Sequence, residues 1–136
     1  MKALKILLIL GVIYVGLVVL FESLLGYYQP ANETTLVITT EDADGVKNPR
    51  VLAQLEHEGQ LYVAANHWPR AWFNNARSNP RVEVKLAGGE QGVYTAVEVD
   101  AAEHQRVDTA NALPLFFRIL TGFPPRYFLR LEPQAQ

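Results

Sequence analysis

An uncharged run near the N-terminus constrains this 136-residue chain more than any other feature. Lys2 and Lys5 stand just before it, residues 6–21 carry no charge, and Glu22 leads into Ser23-Leu24-Leu25-Gly26-Tyr27-Tyr28. As an α-helix, residues 6–28 would extend about 34 Å, enough to cross a hydrocarbon core of about 30 Å. The run therefore predicts one N-terminal transmembrane helix, with residues 1–28 as a membrane anchor and lipid as its partner. Glu22 falls near the far end of the span, where headgroups and water solvate it, and paired tyrosines suit the interface. A cleaved signal peptide is the competing reading, but its apolar region would be long and no small-x-small cleavage pattern follows. A buried or interfacial helix is the third.

Lys2 and Lys5 flank one end of the span, and no further Lys or Arg occurs before Lys47. The positive-inside bias then places the N-terminus in the cytoplasm and the remaining chain outside, in a periplasmic or extracellular space. The absence of cysteine fits an oxidising compartment and excludes disulfides and thiolate chemistry.

Beyond the anchor, residues 29–33 read as a linker, residues 34–132 as one domain and residues 133–136 as a tail. About 108 residues remain after the anchor, enough for one unstapled core. The net charge is -2 with Lys and Arg scattered, which argues against nucleic acid. No histidine cluster has metal-ligand spacing, so no metal is expected, and no nucleophile elbow supports hydrolysis.

Thr34-Thr35-Leu36-Val37-Ile38-Thr39-Thr40 is rich in β-branched residues and predicts a first strand. Residues 41–45 form a polar loop in which Gly45 can take a left-handed turn position. Residues 51–56 and 60–65 flank His57-Glu58-Gly59 and predict an antiparallel hairpin. Residues 69–78 have helical character, with Pro69 at the start and Asn79-Pro80 at the stop. Residues 81–86 alternate cleanly, and residues 92–99 place Val93, Thr95, Val97 and Val99 on one face. Asp100 and Glu103 form a capping-box pattern for a helix over 101–112. Pro114 admits a second short helix over 115–121, ended by Gly122 and Pro124-Pro125. Residues 127–131 predict a last strand. Six strands with two small helical insertions favour a compact β-barrel. The apolar segment 113–125 is compatible with closing that barrel, covering a pocket or lying against a bilayer.

The stretch Ala64-Ala65-Asn66-His67-Trp68-Pro69-Arg70-Ala71-Trp72-Phe73-Asn74-Asn75-Ala76-Arg77-Ser78-Asn79-Pro80 resembles the deazaflavin-dependent nitroreductase family. That family is similar to the wider group of split β-barrel flavin-binding proteins. Its Pro-x-Trp-Tyr-x-Asn-Leu-x-x-Asn-Pro signature is matched by Trp72-Phe73-x-Asn75-Ala76-x-x-Asn79-Pro80, and the resemblance covers residues 36–99. It implies a mainly β chain, a split β-barrel (FMN-binding-like) with short helices, preceded by the transmembrane helix. It also implies a redox cofactor, the deazaflavin F420 or FMN, and hydride transfer to a quinone or nitroaromatic substrate, with a homodimer as assembly. In the family a Gly-Arg-Lys-Ser/Thr-Gly-Lys-x-Arg loop follows the first strand and holds the cofactor's phosphate-bearing tail. Here those positions are Glu41, Asp42, Ala43, Asp44, Gly45, Val46, Lys47 and Asn48, so only the second glycine is kept and three carboxylates stand where phosphate charge would be offset.

The residues expected to bind cofactor are Thr39, Thr40, Lys47, Arg50, Asn66, His67, Trp68, Trp72 and Asn75. Asn66-His67-Trp68 sits where a strand gives way to a helix, and His67 is the candidate catalytic group, able to donate to a flavin or quinone oxygen near neutral pH. Trp68 and Trp72 lie four apart, which on one helix would offer two flat faces for ring stacking or two side chains for the core. Lys47 and Arg50 are positioned to supply one phosphate contact. The alternative function is a non-catalytic split-barrel module that binds a small apolar ligand, haem, lipid or a partner protein. Fused after Gln136, a phosphatase that folds only outside the cytoplasm is expected to be active and a cytoplasm-only fluorescent reporter dark; the opposite pattern would reverse the orientation.

Overall fold

The computed structural model describes residues 1–27 and 34–135. The predicted linker 29–33, Tyr28 and the last tail residue lie outside the described residues, as does the side chain of Tyr27. The chain divides into two compact units, one made of the N-terminal helix with residues 113–124 and the other of the remaining chain.

The first unit contains α1 (Lys2–Tyr27) and α4 (Leu115–Leu120). Residues Lys2–Leu25 of α1 are long and apolar enough to cross a membrane, and their side chains are mostly exposed, with Val18, Phe21 and Leu25 half-buried and Glu22, expected to be solvated, buried instead. Tyr14 donates its hydroxyl to the Ile119 carbonyl at 2.7 Å, and the Phe21 and Phe117 rings meet edge-on at 6.0 Å.

The second unit is a single seven-stranded antiparallel sheet in the order β2-β1-β5-β6-β7-β4-β3. Its strands are β1 (Thr35–Glu41), β2 (Lys47–Ala53), β3 (Leu55–His57), β4 (Gln60–Asn66), β5 (Arg81–Lys85), β6 (Gln91–Glu98) and β7 (Arg126–Pro133). Two helices accompany them, α2 (Ala71–Ser78) between β4 and β5 and α3 (Ala101–Ala110) after β6. The sheet curls, so that Leu52 of β2 and Val63 of β4, far apart in strand order, belong to one buried cluster with Ile38, Val84 and Leu131.

Several elements form where local chemistry predicts them. Asp100 accepts from the Glu103 backbone at 2.7 Å and starts α3. Glu58 and Gly59 both have positive φ, 50° and 74°, as a tight hairpin between β3 and β4 requires.

One expectation is corrected. Residues 51–56 are not one strand, because the Gln54 amide donates to Thr34 at 2.9 Å and separates β2 from β3. β2 instead runs back to Lys47 and pairs with β1, passing through Pro49, which an edge strand tolerates because no ladder donor is lost. On β6 the valine face is half-buried, while the main core takes Tyr94 and Ala96 from the other face. Ala96 stands opposite Leu131 where α2 also packs, and a small side chain is what fits there.

The central strands β4 and β7 are buried on both faces. Val63, Ala65, Leu129 and Leu131 point to the main core, whereas Tyr62 and Phe128 meet Val107 of α3 in a second cluster. Polar contacts then pin α3: Arg130 clasps the Glu103 carboxylate at 2.5 and 2.6 Å, Tyr62 donates to it at 2.8 Å, and Arg126 reaches Asp108 at 3.0 Å. The Arg130 hydrogen bonds hold the Glu103 carboxyl below its ordinary value of 4.5, and burial first, then Glu103, raises the Tyr62 phenol. A depressed carboxyl contributes stability that is present above its unfolded value and lost as pH falls through its folded one. Glu103→Gln should therefore destabilise by about 1–3 kcal/mol near pH 7. Denaturant titration should show the gap to wild type closing as pH drops below the ordinary carboxylate range.

Candidate functional site

Strand polarity sends the ends of β1 and β4 and the starts of β2, β5 and β7 toward the same edge of the sheet, with a stagger that grows from β1 to β4. Thr40, Lys47 and Asn66 all fall on that edge, and α2, packed against β1 and β6, closes it.

Asn66 is the last residue of β4, opposite Arg126. The next amide, that of His67, donates to Pro125 at 2.8 Å, and the Trp68 amide turns back onto the Asn66 carbonyl at 2.8 Å. This three-residue turn forces His67 to φ 64°. A non-glycine residue in that region carries strain of roughly 1–3 kcal/mol, and such strain collects at functional sites. The turn throws Trp68 outward, where it is 56% exposed with the His67 ring 5.5 Å away and the Arg70 guanidinium 5.4 Å above its ring.

The expectation of a helix beginning at Pro69 is corrected, since α2 starts at Ala71 after Arg70. Trp68 is thus not on the helix, and its spacing from Trp72 is not helical. Trp72 is 6% exposed and stacks edge-on against Phe73 in the main core. The two indoles do not form a shared platform. Asn75 is half-buried on α2, and its carbonyl accepts from Asn79 at 2.8 Å to end the helix before Pro80.

Thr39 and Thr40 point to opposite faces of β1. Thr40 is fully buried, and its Oγ1 has no hydrogen-bond partner among the described residues; the same is true of Asn66 Oδ1. Buried polar atoms left without partners are rare enough to require an explanation, and a ligand is one. Thr39 instead lines a hollow of about 360 Å³ on the other face of the sheet, with Val37, Glu83, Lys85 and Val93, which His67 and Trp68 do not reach. Arg50 stands opposite Ile38 in the β1–β2 ladder.

The loop between β1 and β2 is closed by its own carboxylate. Asp42 Oδ1 accepts from the amides of Asp44 at 3.0 Å and Val46 at 2.9 Å, with Gly45 at φ 78° permitting the turn. The Val46 amide is the chief cause holding the Asp42 carboxyl below its ordinary range. Lys47 pairs with Glu83 at 2.6 Å, and this hydrogen bond depresses the Glu83 carboxyl. The loop amides are engaged by Asp42 and Lys47 by Glu83, so a phosphate-bearing tail would have to find its donors elsewhere on the chain. The buried oxygens of Thr40 and Asn66 remain without hydrogen-bond donors among the described residues. Sequence spacing gave no signal for the Asp42 turn or for the Glu103–Arg130–Tyr62 cluster, because their partners are set by the loop's path and by strand pairing.

The model of one protein family, the F420H(2)-dependent quinone reductases, matches residues 19–112. The chain belongs to that family. Among solved structures, the haem storage protein HutZ of Vibrio cholerae is similar at 19% identity and a TM-score of 0.56, over 76% of this chain and 84% of that one. An F420-H2 dependent reductase is similar at 20% identity and 0.54, over 77% and 99%. A protein of Agrobacterium tumefaciens reaches 0.61 at 15% identity, over 77% and 50%. No curated protein matches the chain by sequence. The sheet and its helices are those of the FMN-binding split-barrel superfamily, and membership makes the chain oxidoreductase-like at the level of family.

The indoles should separate by energetics. Trp72→Ala should cost about 3–5 kcal/mol of unfolding free energy, whereas Trp68→Ala should stay within about 0.5 kcal/mol. Urea denaturation followed by far-ultraviolet circular dichroism checks both.

Proposed function

We propose that this chain is a membrane-tethered oxidoreductase that reduces a quinone, or another flat aromatic substrate, with a flavin or deazaflavin as electron donor. Family membership supports the reaction class, and the apolar α1 supports the tether. The observation that carries the reading is the strained His67 turn, which holds an imidazole beside an exposed indole at the edge where Thr40 and Asn66 keep unsatisfied oxygens. The cofactor, when bound, supplies the hydride. The chain's part is to bind and orient. Trp68 would offer a flat apolar face to an aromatic ring, His67 would donate to the quinone oxygen that gains a proton on reduction, and the unpaired oxygens of Thr40 and Asn66 would accept from donors on a bound ring. Charge on that oxygen is stabilised best by a donor already aimed, which is the use of a strained turn.

A second reading has one observation in its favour. The self-satisfied Asp42 loop suits a split-barrel module that has given up the phosphorylated cofactor and binds a small apolar ligand or haem instead.

The full chain, purified in mild detergent, should bind reduced deazaflavin or FMN and reduce a soluble quinone analogue. His67→Asn, which tolerates positive φ, should lower turnover at least about tenfold with an unchanged unfolding midpoint. A colourless protein that takes up neither cofactor and reduces nothing would replace this reading with the second. A Soret band would point to haem.

A further inference from the structure

We infer that residues 113–124 form a re-entrant segment that enters the lipid bilayer alongside α1, in the leaflet crossed by the C-terminal half of that helix. The inference rests on α1 being a membrane span. It adds a second element, from the far end of the sequence, to the surface that touches lipid.

The contacts within this unit set its depth. Phe117 meets the Phe21 ring, and Ile119 accepts the Tyr14 hydroxyl. Tyr14 is about 18 Å along the helix from Lys2, close to the middle of a span of Lys2–Leu25. The segment therefore runs beside α1 from its last turns to its midpoint. In hydrocarbon the phenol of Tyr14 would have no acceptor, and the last carbonyls of α4 would have no donors. Each group answers the other.

Two more carbonyls near the α4 terminus are paired, and that of Ile119 takes a second donor. Phe117 accepts from the Thr121 amide at 2.9 Å and its hydroxyl at 2.8 Å, Gly122 donates to Ile119 at 3.3 Å, and Phe123 donates to Arg118 at 2.7 Å. Gly122 at φ 72° and Phe123 at φ 53° make this closing turn. Backbone that leaves the helical path at membrane depth is tolerated where protein covers it, and here the turn pairs within itself and packs on α1 through Tyr14 and Phe21.

The side chains point to the same solvent. Phe116 is 74% exposed, and Leu115, Ile119 and Phe123 are exposed beside it, a density of large apolar groups that water disfavours and lipid accepts. The strained Phe123 backbone holds its ring out at the surface, a cost that burial in lipid would offset. Arg118 is the one formal charge in the segment, and its guanidinium lies 5.3 Å over the Phe123 ring, a contact that offsets part of the cost of a charge at that depth.

The chain has no cysteine, so single probes can be placed cleanly. Leu8→Cys on α1, Phe116→Cys on the segment and Lys85→Cys on β5 would each carry a nitrobenzoxadiazole label, in the full chain reconstituted into phosphatidylcholine–phosphatidylglycerol vesicles. Labels at 8 and 116 should emit to the blue and be quenched severalfold more by acyl-chain nitroxides than the label at 85. If position 8 is quenched and position 116 behaves like 85, the re-entrant segment is refuted while the tether stands. If neither is quenched, both fall together. Blue emission at 116 without lipid quenching would overturn the inference in favour of a protein covering that face.

Discussion

The pairing of β7 with β4 governs the sheet unit, because it is the one ladder whose strands are buried on both sides. Its register, from Leu61↔Leu131 to Asn66↔Arg126, fixes which residues fill the main core and which meet α3. A one-residue slip would exchange Val63 and Leu129 with Tyr62 and Phe128 and empty both clusters at once. The same ladder ends where the candidate site begins. The His67 amide takes the Pro125 carbonyl as the next rung, and the strain at His67 follows from having to leave β4 immediately afterwards. A ladder buried on both sides thus holds a strained residue at its end, an arrangement that keeps a side chain aimed without help from a ligand.

Much of this was legible in the chain because it is local. The cap at Asp100 and the Glu58-Gly59 hairpin need only neighbouring atoms, and the core face of β5 follows from period-two alternation of Val82 and Val84. What escaped was set by partners distant in sequence. β2 holds Lys, Asn, Pro and Arg in its first four positions, a composition with little strand propensity, and it extends only because β1 offers it a free edge. The burial of β6 depends on what α2 leaves room for, and periodicity alone cannot weigh valine against alanine there. Trp68 and Trp72 share a helical spacing, yet Pro69 intervenes and gives one to solvent and the other to the core.

Fold and site differ in how far kinship constrains them. Backbone topology survives extensive substitution because the core needs volume and pattern, whereas a cofactor tail needs particular donors. The β1–β2 loop shows the difference within a few residues. Gly45 at positive φ turns its path, while its amides point to Asp42, an anion the chain supplies itself. Removing that carboxylate would free donors but leave Glu41 and Asp44 beside them, so one substitution would not restore a phosphate site.

The position of residues 113–124 in the chain follows from the same ladder. The family match ends at residue 112, β7 begins at Arg126, and the excursion between them is bounded by Pro114 and by Pro124-Pro125. Proline at each boundary stops helix or strand from running through, so the excursion can change in length or polarity without moving the rungs of β7. Residues free of the sheet's register are the ones a chain can adapt to a different solvent. Here they carry an exposed Leu-Phe pair and a helix terminus whose carbonyls are all answered from Phe117 to Ile119. A sheet domain of this size has little apolar surface to spare. Placing apolar side chains in this one proline-bounded segment lets the core stay closed while a separate surface remains open to a different solvent.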